Sequence, residues 1–131
     1  MVAKISLLAA GIYTTALTYF SLIKLGKISV GSFNPTDKML HATAYLLLVS
    51  IWKLYFIISS RDKLNYKANL FWISGLSILF GMLIEVLQGT LTSYRDPDWF
   101  DIMANSTGVL LAVLIFALLE GPFKRLRRKL N

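Results

Sequence analysis

Residues 69–91 read NLFWISGLSILFGMLIEVLQGTL and residues 99–119 read WFDIMANSTGVLLAVLIFALL, joined by TSYRDPD at 92–98. Each run is long enough to cross the hydrocarbon core of a bilayer, which takes roughly 20 mostly apolar residues. The polar residues inside them are not scattered. Ser74, Ser77, Gly81, Glu85 and Gln88 recur at steps of three and four, and Asp98, Asp101, Asn105 and Gly108 do the same in the second run. Residues so spaced share one side of a helix. Both runs are therefore helices with a small, polar seam on one face and Leu, Ile, Phe and Val elsewhere. Such a seam suits a helix–helix contact in lipid, where small residues permit close backbone approach and polar groups need partners.

Two more runs of the same kind precede these, at about 5–23 and 39–58. The first is long for the apolar region of a secretory signal and lacks a clean cleavage site, so it reads as a retained helix. Just before and within the second, Asp37, His41 and Tyr45 stand four residues apart and form one stripe. Composition agrees: a chain of 131 residues that is 56% hydrophobic and only 16% charged is too apolar for an ordinary soluble domain. The expected fold is all-α, a single polytopic membrane domain over 1–131 with four spans at about 5–23, 39–58, 69–91 and 99–119.

The net charge of +7 raises the question of nucleic acid, but its distribution answers otherwise. Lys124, Arg125, Arg127, Arg128 and Lys129 follow the fourth run directly, and Arg61, Lys63 and Lys67 crowd the link between runs two and three. These are cytoplasmic flanks by the positive-inside rule. With both termini inside, Lys4 joins them to make nine Lys and Arg, against Lys24, Lys27, Lys38 and Arg95 outside. Lys53, toward the inner end of the second run, is expected to snorkel to the interface beside Trp52 and Tyr55. No nucleic-acid partner is implied.

This topology gathers the polar residues at one face of the membrane. The second run enters from outside near Lys38, the third emerges near Leu91 and the fourth re-enters near Trp99. Glu85, six residues before Leu91, lies about 9 Å inside the end of its helix at 1.5 Å per residue. Asn105 is at similar depth, while His41 and Asp101 are nearer the surface. The expectation is a shallow pocket, open outward and floored by Glu85 and Asn105.

Asp37-Lys38-x-x-His41-x-x-x-Tyr45, then Glu85-x-x-Gln88, Arg95 and Asp101-x-x-x-Asn105-x-x-Gly108, resembles the VanZ-like membrane proteins in order, spacing and four-helix layout. The resemblance covers the second to fourth helices and the loop between the last two. Ala112 departs from it, standing where the family often has a second Gly, although a small residue remains. The resemblance implies a multi-pass protein of the bacterial plasma (inner) membrane with a role in the cell envelope, linked to glycopeptide resistance of the teicoplanin type. It does not imply a reaction.

Taken singly, the motif residues leave their roles open. His41, the only histidine, suits proton transfer or phosphate holding, or serves as a buried partner for Asp37, Tyr45 or Asp101. Glu85, within the membrane, is an acid, a base or half of an ion pair with Arg95 or Lys38. Gln88 is an orienting group. Arg95 stands over the pocket mouth, as an anion clamp or as a partner of Asp98, Asp101 or Glu85. Asp98 occupies an N-cap position and Asp101 the first turn after it, where acids are favoured by the helix dipole. Trp99 and Phe100 read as interface anchors.

Catalytic zinc sites usually carry two or more histidines or thiolates, and this chain has one histidine and no cysteine, so no metal and no cofactor is expected. No phosphate-binding glycine loop or nucleophile elbow occurs. Two readings follow. In the first, Asp37, Lys38, Tyr45, Gln88, Arg95 and Asn105 bind the headgroup of an envelope lipid, a lipid-linked intermediate or an amphiphilic antibiotic, with Lys38 and Arg95 as anion clamps. In the second, His41, Glu85 and Asp101 perform acid/base hydrolysis or group transfer on a lipid-linked substrate in the outer leaflet. Transport is weaker, because the polar groups stop in the outer half.

Overall fold

The computed structural model describes residues 1–23, 36–59, 65–93 and 96–130. These form helices α1 (Val2–Leu22), α2 (Asp37–Ile58), α3 (Tyr66–Leu91), α4 (Trp99–Leu118) and α5 (Glu120–Leu130), with no strand among the described residues. The first four are long and apolar enough to cross a membrane, so the chain is a multi-pass membrane protein. Lys24, Lys27, Arg61 and Lys63 of the charge count, and Arg95 of the candidate site, lie outside the described residues.

Helices α2 and α3 begin a little earlier than hydropathy alone suggests, because side-chain caps set their starts. The Thr36 hydroxyl accepts from the Met39 amide and the Asn65 carbonyl from the Ala68 amide, drawing Asp37 and Tyr66 into their first turns. Such caps satisfy amides that have no intrahelical partner. Asp98 caps α4 as expected, its Oδ1 accepting from the Phe100 amide at 2.8 Å.

Packing follows the polar seams. The buried residues of α3 include Ser74, Ser77, Gly81, Glu85 and Gln88, and those of α4 include Asp101, Asn105, Gly108 and Ala112. Gly108 allows the closest approach. A methyl group there would stand 2.0 Å from the Ala42 carbonyl oxygen of α2. Around this contact Tyr45, Leu48, Val49, Ile57, Leu70, Ile73, Val109, Ala112 and Phe116 form the apolar core. Helix α1 is peripheral, with only Ala10 fully buried, and is tied to α2 by Tyr13 donating to the Ala44 carbonyl and by Trp52 donating to the Thr14 hydroxyl.

Two features at the end away from the α2 N-terminus depart from the sequence reading. Lys53 does not snorkel. It is 1% exposed, donates to the Tyr66 carbonyl and to Asn69 Oδ1 at 2.8 Å each, and lies 3.8 Å from the centre of the Tyr66 ring. A buried ammonium with two acceptors and a π face is satisfied in place. The Tyr66 hydroxyl in turn donates to the Phe116 carbonyl in the last turn of α4. The basic tail, read as a topology signal first and as a binder of anionic lipid headgroups second, is the helix α5. Pro122 sits in its first turn, where no amide is required, and Phe123 stacks on Phe116 with ring centres 4.8 Å apart.

Replacing Gly108 by Ala forces α2 and α4 apart and is expected to destabilise the protein by about 1–3 kcal/mol, the usual range for overpacking. Gly11→Ala and Gly75→Ala, where an added methyl meets nothing within 4 Å, are expected to be neutral or slightly stabilising. Thermal unfolding in detergent, followed by circular dichroism, checks the contrast.

Candidate functional site

The N-termini of α2 and α4 and the C-terminus of α3 lie at one end of the bundle. Two close approaches assemble the end from three helices. Gly108 against Ala42 brings α4 to α2, and Pro97 folds back onto Gly89 of α3, where an added methyl would stand 2.3 Å from Pro97 Cγ. The second contact delivers the start of α4 to Glu85. The Asp98 amide donates to Glu85 Oε2 at 3.4 Å, so the 1%-exposed carboxylate lies at a helix N-terminus, which favours an anion.

The α2–α4 contact sets the rest. Lys38 donates to Asp98 Oδ2 at 2.5 Å and to Asp101 Oδ1, and its ammonium is 4.0 Å from Asp37 Oδ2. One turn deeper, His41 Nδ1 is 3.0 Å from Asn105 Oδ1. An amide oxygen only accepts, so Nδ1 carries the proton and donates. The other ring nitrogen, Nε2, then faces Asp37 Oδ1 at 3.8 Å and Asp101 Oδ2 at 3.6 Å. Each of these carboxylates thus presents one oxygen to Lys38 and the other to His41. One ligand atom each from Asp37, His41 and Asp101 lie within 4.8 Å of one another, a spacing that suits a bound cation.

Tyr45 and Gln88 stand further in. Tyr45 is packed against Gly81 and Phe80, and Gln88 Nε2 donates to the Ser21 carbonyl at the end of α1, a tie that sequence reading missed. Both line a cavity of about 220 Å³ together with Asp37 and His41 and with the apolar Leu17, Phe20, Leu40, Ala44 and Ile84. Within the described residues Tyr45 Oη and Gln88 Oε1 have no hydrogen-bond partner, although Tyr45 is 2% exposed and Gln88 fully buried. The amide nitrogen of Asn105 is in the same condition. Buried polar atoms are normally satisfied, and those left over mark a place for water or ligand.

The structure therefore brings together Asp37, Lys38, His41, Asp98, Asp101 and Asn105, with Glu85 reached through the Asp98 amide and Tyr45 and Gln88 in the adjoining cavity. Arg95, also expected here, lies outside the described residues. Lys38 is held by two carboxylates, those of Asp98 and Asp101. Trp99 and Phe100 are exposed on the rim, as interface anchors would be. Comparison with models of known protein families, with curated proteins and with solved structures finds no match.

The Lys38 ammonium beside Asp98, with help from the Phe100 amide, holds the Asp98 carboxyl below the usual carboxylate range. A carboxyl whose folded value is lowered stabilises the protein above its unfolded value and loses that contribution as pH falls through the folded one. Asp98→Asn keeps an N-capping side chain and removes the ion pair. Wild type is therefore expected to melt higher than Asp98→Asn at about pH 6, with the difference shrinking as pH falls below about 4 and toward the lowered folded value. Melting curves of both proteins across that range test it.

Proposed function

We propose that this chain is a VanZ-like protein of the bacterial plasma membrane, with both termini cytoplasmic, whose pocket opens outward and receives the headgroup of an envelope lipid or of another amphiphile. The observation that carries this reading is the cavity lined both by the polar Asp37, His41, Tyr45 and Gln88 and by the apolar Leu17, Phe20, Leu40, Ala44 and Ile84. Polar and apolar walls in one space at a helix end match a molecule with a polar head and an apolar body.

The charges refine the ligand. The helix ends and links on this side carry Asp37, Glu85, Asp96, Asp98 and Asp101 against Lys24, Lys27, Lys38 and Arg95. A headgroup rich in donors, hydroxyl or ammonium, suits this mouth better than a bare anion. Amphiphilic glycopeptides of the teicoplanin type have that character, which is where the resemblance and the site's chemistry meet.

Purification in mild detergent followed by mass spectrometry of the bound lipid is expected to find a stoichiometric amphiphile in wild type and at least tenfold less in Ala44→Leu, which fills the cavity. Equal lipid in both would overturn the reading. Orientation has a separate check, because the chain contains no cysteine. A Ser93→Cys variant is expected to react with a membrane-impermeant maleimide on whole cells, and Asn131→Cys only after permeabilisation.

A second reading, an outer-leaflet enzyme, is favoured by the orientation of His41. Its Nδ1 is fixed by Asn105, which leaves Nε2 as the proton acceptor. There it takes the proton of an attacking water and, as the imidazolium so formed, passes it to the leaving group of a lipid-linked ester or phosphate, with Glu85 or Asp101 orienting it. Turnover of such a lipid by protein in vesicles, lost in His41→Ala, would select this reading, and identical lipid profiles would dismiss it.

A further inference from the structure

We propose that α5 is an interfacial helix that binds the headgroups of anionic phospholipids, at the end of the bundle opposite the candidate site. Its placement is the first reason. Helix α4 is long and apolar enough to span and ends at Leu118, so the chain reaches a membrane surface there, and α5 starts at Glu120. A straight continuation of α4 would carry the Phe123 backbone about 10 Å beyond Phe116, at 1.5 Å per residue. The two rings instead stack with centres 4.8 Å apart, and the Lys124 ammonium comes within 5.9 Å of the centre of the Tyr66 ring, in the first turn of α3. Helix α5 also touches α2. It therefore lies across the end of the bundle and stays at the membrane surface.

The second reason is the division of its surface. Leu119, Phe123 and Leu126, at steps of four and three, form an apolar stripe. The bundle half-buries Phe123, while Leu119 and Leu126 stay 43% and 41% exposed, continuing the exposed apolar surface of α4 at Leu118. Arg125, Arg128 and Lys129, also three and four apart, share the other side of the helix and are exposed. An apolar edge with a basic face beside it is the pattern of a helix bedded in the headgroup region, with leucines toward the acyl chains and cations toward phosphate.

The third is charge. Lys124, Arg125, Arg127, Arg128 and Lys129 are nearly consecutive, and Lys67 in the first turn of α3 stands at the same end. So does Lys4, because the opposite end of its helix is the one that meets Gln88. Glu120 is the one acid at this end among the described residues, and Lys124 pairs with it at 2.7 Å. A basic cluster of this size directly after a spanning helix draws anionic lipid to it, and guanidinium groups hold phosphate oxygens in pairs. Nucleic acid would use the same charges but leave Leu119 and Leu126 in water, so the surface as a whole favours lipid.

The test uses the full chain in vesicles of three parts phosphatidylcholine to one of phosphatidylglycerol, with a trace of either lipid spin-labelled on an acyl chain. The electron paramagnetic resonance spectrum separates lipid held at the protein from bulk lipid. Wild type is expected to hold phosphatidylglycerol about threefold more strongly than phosphatidylcholine, with the ratio falling toward one in high salt. The triple variant Arg125→Gln, Arg128→Gln, Lys129→Gln is expected to lose most of that preference at low salt, and Lys67→Gln to keep most of it. The substituted side chains are exposed, so the triple variant keeps the fold, which circular dichroism and elution as a single species verify. Because the chain has no cysteine, a polarity-sensitive dye can be placed singly, and on Leu126→Cys it is expected to emit at shorter wavelength than on Arg128→Cys. Equal association of the two lipids with wild type, an unchanged preference in the triple variant, or the same emission from both dye positions would overturn the proposal. So would a wild type that prefers neither lipid yet retains a labelled oligoribonucleotide. Ala44→Leu fills the cavity at the opposite end and is expected to leave the lipid ratio unchanged, so this reading and the amphiphile reading fail separately.

Discussion

The α2–α4 contact at Gly108 and Ala42 is the constraint on which the polar end of this protein depends. A backbone carbonyl stands where a side chain of α4 would otherwise project, and only a residue without Cβ fits. Because helices are stiff, closing this one point fixes the separation one and two turns away. Asn105 is three residues from Gly108 and Asp101 seven, so both lie on the face that meets α2. His41 adjoins Ala42, and Lys38 is one turn before it. The pairs Lys38–Asp101 and His41–Asn105 are therefore consequences of a steric fact two turns into the membrane. Short polar side chains reach each other only because the backbones are already close, as in lipid-embedded helix pairs generally.

The two ends of the bundle answer the same problem differently. At the end of Lys53, each strongly polar group meets a fixed acceptor: the ammonium has Tyr66 and Asn69, and the Tyr66 hydroxyl has a carbonyl at the C-terminus of α4. That arrangement ties three helices together. At the other end, Tyr45, Gln88 and Asn105 each keep a buried polar atom without a partner among the described residues, beside a cavity. A membrane protein tolerates unsatisfied groups at a cost of roughly 1–3 kcal/mol each, so their concentration at one end is the mark of a place built for something else.

Much of this was legible in the chain. Run length and apolarity placed four helices within a few residues, and steps of three and four placed Asp37, His41 and Tyr45, or Asp101, Asn105 and Gly108, on common faces. The Asp98 cap was readable too. Pairings across helices were less so, because periodicity gives the face of a residue and not the rotation of its neighbour. Lys53 looked like a snorkelling lysine because its partners, Tyr66 and Asn69, lie in the next helix. Gln88 gave no sign of reaching the Ser21 carbonyl, as backbone acceptors at a helix end carry no sequence signature. Helix α5 escaped because hydropathy detects spans, and a short basic helix that packs only through residues such as Phe123 has none.

Lys38 shows how such pairings change chemistry as well as geometry. In the sequence it is a lone cation at the lip of a pocket, and an anion is its natural ligand. In the structure its ammonium contacts Asp98 and Asp101, and its positive charge is spent within the protein. The second oxygen of Asp101 faces the His41 imidazole at 3.6 Å. One ion pair thus changes what a cation does at this end of the bundle: Lys38 orients the carboxylates that flank it, and through Asp101 it helps to place the histidine one turn deeper.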